Sequence, residues 1–214
     1  MRPQRALVHN ELVNICIHGF GNVGSALAKI WVRTGHSIEV CLRPGSKHGS
    51  DVSALGLPIV DPREGAQRAD VNVLALPWPA VKEVLPALGP LKGKILLDTT
   101  NPLDRDLNII KPPAGSAGLQ VAEWAEGASV VKAFNTIGAM LYGRETFDGF
   151  YCGDDADALE AARQLITDTK MKPVFAGPLR NSGYLEHIAG LWIDFAIHRR
   201  VNPAFGFNMV TAEV

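Results

Sequence analysis

Residues 13–24 read Val-Asn-Ile-Cys-Ile-His-Gly-Phe-Gly-Asn-Val-Gly, an apolar run that breaks into the pattern Gly-x-Gly-x-x-Gly. In a dinucleotide-binding turn, the first glycine permits a tight turn, the second lets the backbone approach a pyrophosphate, and the third lets the next helix pack on the sheet. The N-terminus of that helix then faces the phosphates with free N–H groups. Because a strand precedes these glycines and an Ala- and Leu-rich helix follows them, the stretch predicts a dinucleotide site.

A basic turn, residues 43–48, follows the second predicted strand. An NAD site usually has an acidic residue about 20 residues past the glycines, whereas an NADP site offers cations to the extra phosphate. Here the position holds Arg43, and a type II turn through Pro-Gly would bring it close to Ser46 and Lys47. These groups can bind a phosphate monoester, which favours NADP(H). A solvated surface turn is the alternative, and Glu39 should miss the ribose because it lies inside the strand.

Composition sets the class of protein. The 214 residues are 47% hydrophobic, enough for one large domain or one domain with an appendage. Lys and Arg total 21 against 22 Asp and Glu, so no general basic surface suggests nucleic acid or an anionic membrane as a partner. Residues 1–11 lack the apolar stretch of a secretory signal, and no segment reaches membrane-spanning length. We therefore expect a cytoplasmic location.

The cysteines and histidines give no metal-binding pattern along the chain. Cys16, Cys41 and Cys152 lack metal-ligand or C-x-x-C spacing, and a free cysteine in a buried strand behaves as a small apolar residue. His18 stands just before the glycine loop; we expect backbone groups to satisfy it, with contact to a cofactor as the alternative. The sequence thus predicts no metal site.

Short apolar runs alternate with helix-compatible stretches, as in an α/β fold of the Rossmann type with a doubly wound, mostly parallel sheet. After the glycine loop, strands are predicted at residues 37–42, 58–60, 69–76, 94–98 and 128–134. Helices are predicted at residues 62–68, 78–85, 117–125 and 181–199, with a loop at 103–116. We divide the chain into an NADP-binding domain, residues 1–178, and a C-terminal helix and tail, residues 179–214, which is expected to supply the acceptor site and a dimer contact.

Ligands of such sheets bind at the carboxyl ends of the strands. The tripeptides predicted there are Leu76-Pro77-Trp78, Thr100-Asn101-Pro102 and Asn135-Thr136-Ile137. Prolines stiffen the strand ends and leave carbonyls and amides free for a nicotinamide and its ribose. Asn101, Asn135 and Thr136 add neutral donors and acceptors. Each is also a common turn residue, but together they indicate a binding edge.

Several segments resemble one known family. Residues 131–137, 150–155 and 175–182, together with the glycine loop and residues 76–78, are similar to the F420-dependent NADP reductase family and its bacterial relatives. A similar arrangement occurs in the flavin-reducing domain of the STEAP metalloreductases. The resemblance covers about residues 12–200.

The resemblance implies hydride transfer between the nicotinamide of NADP(H) and F420 or a flavin such as FMN or FAD. Such a reaction needs orientation and exclusion of water, so no catalytic residue is expected. The resemblance assigns Gly19, Phe20, Gly21, Asn22 and Val23 to the pyrophosphate, beside Gly24, and Arg43, Ser46 and Lys47 to the 2′-phosphate. It places Leu76, Pro77, Trp78, Asn135 and Thr136 at the nicotinamide and Arg180, Asn181 and Ser182 at the second ring.

The predicted C-terminal helix carries a broad apolar stripe that includes Trp192 and Phe195. Core packing is the usual explanation, but burial against a second subunit also fits, and we expect a homodimer.

Two other functions stay open. One is an imine or ketone reductase resembling pyrroline-carboxylate reductases, which needs a proton donor. The candidates for that donor are Tyr142, Tyr184 and His187. The other is a module that senses NADP(H) without turnover.

Overall fold

A seven-stranded sheet forms the centre of the computed structural model, which describes residues 12–144 and 147–212. The expectation for residues 1–11 lies outside this part of the chain. The strands are β1 (Asn14–His18), β2 (Ser37–Cys41), β3 (Val71–Leu74), β4 (Ile95–Asp98), β5 (Ser129–Ala133), β6 (Asp148–Gly153) and β7 (Lys172–Phe175). Their order is β2-β1-β3-β4-β5-β6-β7. The first five strands are parallel, β6 is antiparallel to β5, and β7 is parallel to β6. The predicted fold class is confirmed.

Helices cover both faces of the sheet. The α-helices are α1 (Asn22–Arg33), α2 (Gly49–Ala54), α3 (Pro62–Arg68), α4 (Trp78–Val84), α5 (Ala117–Trp124), α6 (Ala156–Asp168) and α7 (Ser182–Ile193). Short 3-10 helices lie at Leu85–Leu88, Ala139–Leu141 and Leu179–Asn181, and a π-helical segment, Asp194–His198, follows α7. Local chemistry sets some of these boundaries: the Asp61 carboxylate caps α3, and a proline occupies its first turn. None of the described helices is both long and apolar enough to cross a membrane.

Two apolar layers, one on each face, hold the helices against the sheet. On one face Trp31 of α1 is fully buried; its ring packs edge-on against Phe134 at 5.6 Å, and its indole N–H donates to the Leu165 carbonyl of α6 at 3.1 Å. On the other face, Leu96 of β4 and Val121 of α5 belong to the second layer. The parallel strands are therefore covered on both sides, as their apolar sequences require.

The segment 58–60 does not form a strand of the main sheet, so that prediction is wrong. It makes one isolated bridge, between Ile59 and Val40 of β2. Pro58 has no N–H to donate, and the chain turns at once into α3 at its Asp61 cap. The predicted helix at 62–68 is confirmed, and residues 103–116 form a loop with one isolated bridge inside it.

Candidate nucleotide-binding site

The glycine loop leaves the carboxyl end of β1, and its three glycines differ in what surrounds them. Gly19 has φ +104°, and its N–H donates to the Cys41 carbonyl at 3.1 Å. A Cβ at Gly19 would overlap the Ala75 carbonyl, and one at Gly24 would overlap the Gly19 carbonyl. A Cβ at Gly21 would have no protein atom within 4 Å. Packing therefore accounts for Gly19 and Gly24 but not for Gly21, whose open side leaves room for a ligand.

The N-terminus of α1 is suited to an anion. Gly21 is the N-cap residue and supplies no side-chain hydrogen bond, and the first turn contains no acidic residue. Its amides and positive dipole end are therefore available to a phosphate. Phe20 is buried in the core and offers the loop only its backbone, while Asn22 is exposed and Val23 is half-buried.

The basic turn after β2 has the predicted geometry. The Ser46 N–H donates to the Arg43 carbonyl at 3.1 Å, and Gly45 between them has φ +71°, as a type II turn requires. Arg43 and Lys47 are exposed, and Ser46 is half-buried. Glu39 is bonded to the Arg68 guanidinium at 3.1 Å, so its carboxylate is engaged away from this turn.

At the ends of β4 and β5, two predicted site residues are brought together. The Asn101 side-chain amide donates to the Asn135 backbone carbonyl, and the Asn135 side-chain amide donates to the Asn101 side-chain oxygen, both at 3.0 Å. The buried Asn135 Oδ1 finds no partner within residues 12–144 and 147–212. A buried acceptor without a donor is costly, so this oxygen fits a ligand that carries an N–H, such as a carboxamide. The Leu76 side chain lies against Gly19 of the glycine loop.

Strained backbone positions Asn135. The preceding residue, Phe134, has φ +60°, a left-handed conformation that costs a non-glycine residue about 1–3 kcal/mol. The Tyr142 hydroxyl donates to the Phe134 carbonyl at 2.5 Å, which supports this bend. Burial raises the pKa of Tyr142 well above its usual value. Tyr142 is thus removed from the proposed proton donors because its proton is already held inside the protein.

Other predicted contacts lie in varied surroundings. Trp78 stacks on Trp124 of α5 at 5.3 Å, Pro77 is exposed, and Thr136 is buried. For the expected second ring, Arg180 is exposed, but the Asn181 side chain donates to the Ala176 carbonyl at 2.7 Å. Ser182 is fully buried and shares a hydrogen bond with Ser116 at 2.7 Å. The Ser182 side chain is therefore already satisfied inside the protein.

A buried charge network that the sequence analysis missed supports this edge of the sheet. The fully buried Lys132 ammonium of β5 lies 2.8 Å from the Asp98 carboxylate and 3.3 Å from that of Glu186 on α7. The Glu186 carboxylate also accepts from the first two N–H groups of α5. Burial by itself lowers the pKa of Lys132, but the two carboxylates outweigh burial and raise it. A lysine within an apolar strand was the available signal.

A second missed cluster lies just below the glycine loop. The sulfurs of Cys16 and Cys41 are 3.3 Å apart, and the hydrogen bond from the Cys16 thiol lowers the pKa of Cys41 to about 6 against the opposing effect of burial. His18 is satisfied at Nε2 by the Asn72 side chain at 2.9 Å, so the expectation of backbone partners is wrong. Spacing along one strand could not reveal the cluster, because the pairing of β1 with β2 creates it.

The comparisons with known proteins agree with this architecture. The family described as NADP oxidoreductase, coenzyme F420-dependent, matches residues 14–102. The F420-dependent NADP reductase of Methanothermobacter marburgensis is 31% identical over 154 residues, 66% of this chain and 69% of that protein. A crystal structure from Arthrobacter sp. FB24, provisionally described as an F420-dependent NADP reductase, has a TM-score of 0.82 and 25% identity over 93% of this chain and all of that one.

The imine reductase of Aspergillus terreus is more distant: its TM-score is 0.66 at 18% identity, over 86% of this chain and 61% of that one, a likeness of fold alone. The sheet and glycine loop define a Rossmann-type dinucleotide-binding protein. Together with the match to the M. marburgensis enzyme, they show that the chain belongs to the F420-dependent NADP reductase family, a family of NADP-dependent oxidoreductases.

Proposed function

We propose that this protein binds NADP(H) along the glycine loop and transfers hydride between the nicotinamide and F420. The observation that carries the proposal is the open space beside Gly21 at the uncapped N-terminus of α1. A dinucleotide needs both features, since its pyrophosphate must approach the backbone and accept from helix N–H groups. The name of the M. marburgensis relative supports F420 as the second substrate.

The Arg43 turn supports NADP(H) over NAD(H). Its guanidinium, the Ser46 hydroxyl and the Lys47 ammonium follow the second strand of the fold, where the adenosine ribose of a dinucleotide binds. A 2′-phosphate there would gain charge-assisted hydrogen bonds. Because Glu39 is held by Arg68, no carboxylate from β2 competes for this position.

At the other end of the loop, Asn101 and Asn135 are proposed to hold the nicotinamide. The unpartnered Asn135 Oδ1 suits the carboxamide N–H₂, and the bond from Asn101 fixes the orientation of the Asn135 side chain. Leu76, Pro77, Trp78 and Thr136 are proposed to border the ring. When bound, NADPH supplies the hydride, and these residues orient it and exclude water.

A flavin acceptor and an imine substrate are the competing proposals. The imine reductases share the fold at under 25% identity, and a reductase of that kind needs a proton donor. With Tyr142 buried and bonded to a carbonyl, the candidates that the sequence analysis leaves are Tyr184 and His187, which are both exposed. F420 is therefore favoured over an imine.

We also propose a cytoplasmic homodimer formed through the C-terminal part of the chain, residues 179–214, which would also border the acceptor. Its support is apolar side chains on and after α7 that remain exposed: Tyr184 at 72%, Leu191 at 46%, Ile197 at 47% and Val201 at 47%. Light scattering on the protein as it elutes from a size-exclusion column should give twice the mass of the chain. A single-chain mass at micromolar concentration would contradict the dimer.

The proposed activity is tested by following NADPH oxidation with three acceptors offered separately: F420, FMN and a cyclic imine. We expect turnover with F420 and little or none with the imine. Turnover only with FMN would show that the acceptor is a flavin and contradict F420. Turnover only with the imine would favour the imine reductase. Tight NADPH binding with no turnover of any acceptor would support a sensor and contradict the proposal.

A further inference from the structure

Two thiols and one imidazole meet on the sheet face that α3 covers. Cys16 and His18 are two residues apart on β1, so their side chains share a face, and Cys41 on β2 is opposite His18 in the register. The two sulfurs and an imidazole nitrogen all lie within 4.8 Å of one another. Each of the three residues is 5% exposed or less.

The imidazole is oriented as a metal ligand would be. The Asn72 side-chain N–H₂ donates to the Ala66 carbonyl at 3.2 Å, which leaves its Oδ1 to accept from His18 Nε2 at 2.9 Å. This assignment places the proton of a neutral imidazole on Nε2 and the lone pair on Nδ1. His18 Nδ1 is buried and has no hydrogen-bond partner in the described part of the chain. An outer hydrogen bond that fixes the tautomer of a ligating histidine is a general feature of metal centres.

Gly65 of α3 packs directly against the two sulfurs. A Cβ there would lie 2.7 Å from the Cys16 sulfur and 3.3 Å from the Cys41 sulfur, so a glycine at this position lets the helix cover the cluster closely. Bonds of about 2.3 Å in a tetrahedral zinc centre hold two sulfurs about 3.8 Å apart, so the observed separation of 3.3 Å needs to widen by about half an ångström. The Asp61 carbonyl oxygen lies 3.9 Å from the Cys41 sulfur and is a candidate for the fourth ligand of the metal.

We propose that Cys16, His18 and Cys41 form a buried site for a thiophilic divalent cation, with Zn²⁺ as the favoured ion. Two thiolates and a neutral imidazole around Zn²⁺ give a centre with no net charge, which an apolar interior tolerates best. Binding forms two sulfur–metal bonds and one nitrogen–metal bond, and each thiol that is still protonated releases its proton to solvent. No oxidant or reductant takes part. The site is independent of the proposed hydride transfer.

The position of the site gives it a structural consequence. Cys41 is the last residue of β2, and its carbonyl accepts from the Gly19 N–H. A cation bound to Cys41 would therefore link the strand ends from which the glycine loop and the basic turn begin. A ligand that binds the folded chain alone raises its stability. Zinc should therefore raise the unfolding temperature of the chelator-treated protein.

Titration with Co²⁺ tests the proposal directly. Reduced, chelator-treated protein should develop a sulfur-to-cobalt charge-transfer band that saturates at about one ion per chain and is abolished by Zn²⁺, which binds such sites more tightly. Cys41→Ser should lose the band. Cys152→Ser is the matched control, since this buried thiol lies on β6 away from the cluster, and it should keep the band.

A further variant and a second method distinguish loss of a metal ligand from failure of a variant to fold. Asn72→Ala removes the partner of His18 and should weaken cobalt binding by about 10–100-fold. If a variant fails to fold, zinc-edge X-ray absorption of the unmodified protein should show two sulfurs and one nitrogen around the ion. Absence of the band under reducing conditions, its retention in Cys41→Ser, or a zinc shell without sulfur would overturn the proposal.

Discussion

Replacement of Gly21 by alanine should strongly weaken nucleotide binding while leaving the fold intact. Gly21 has φ −75° and ψ −158°, an extended conformation that alanine adopts freely, and the new methyl would meet no protein atom within 4 Å. We therefore expect the free energy of unfolding to change by less than about 1 kcal/mol. The methyl would occupy the space through which the pyrophosphate approaches. Loss of one charge-assisted hydrogen bond there costs about 1.5–3 kcal/mol, or roughly a 10–150-fold rise in Kd.

Gly24→Ala is the matched comparison. Its methyl would overlap the Gly19 carbonyl and lie 3.2 Å from the Ala75 Cβ, so it should destabilise the fold by about 1–3 kcal/mol. Urea denaturation measures the free energy of unfolding of both variants, and calorimetry measures their Kd for NADPH. If Gly21→Ala bound NADPH as tightly as the unmodified protein, the open space beside this glycine would not be the pyrophosphate site, and the reasoning would fail.

Three further predictions concern charge. Arg43→Ala should weaken binding of NADPH by about 1.5–3 kcal/mol and leave NADH unaffected, with Lys92→Ala as an exposed control; equal losses for both nucleotides in calorimetry would refute the phosphate assignment. Lys132→Met leaves two buried carboxylates without their cation and should cost about 3–5 kcal/mol in urea denaturation, whereas a loss below about 1 kcal/mol would show that the network is dispensable. In the folded protein the pKa of Lys132 is raised above the ordinary value of 10.5. The contribution of the charged lysine to the free energy of unfolding is therefore fully present below pH 10.5 and is lost as the pH rises through the raised pKa. Above pH 10.5 the unfolding temperature should therefore fall more steeply with pH for the unmodified protein than for Lys132→Met. Equal slopes for the two proteins would contradict the pKa shift.

Local patterns in the sequence sufficed for the parts of the structure that depend on local chemistry. The glycine loop and the type II turn at Gly45 could be predicted because particular backbone conformations demand particular residues. The predicted helix at 62–68 is also present, and the structure shows that it begins at an Asp61 cap followed by a proline, residues that favour a helix start. The assignment of the loop and turn to a cofactor remains a prediction.

The groups that escaped prediction depend on contacts between distant parts of the chain. Lys132 meets Asp98 and Glu186 only because β4, β5 and α7 converge, and nothing in the spacing of these residues indicates it. Cys16 and Cys41 are 25 residues apart and meet through the pairing of β1 with β2. The left-handed turn at Phe134 also had no signal, since bulky residues rarely adopt it.

In the proposed reaction, hydride passes directly between bound NADP(H) and F420. The most direct measurement is to incubate the protein with F420 and NADPH that carries deuterium on the transferred side of nicotinamide C4, and to determine the mass of the reduced F420. We expect one deuterium per molecule of reduced F420, even in ordinary water. Reduced F420 without deuterium from either labelled face, or no reduction of F420 by NADPH at all, would contradict the claim.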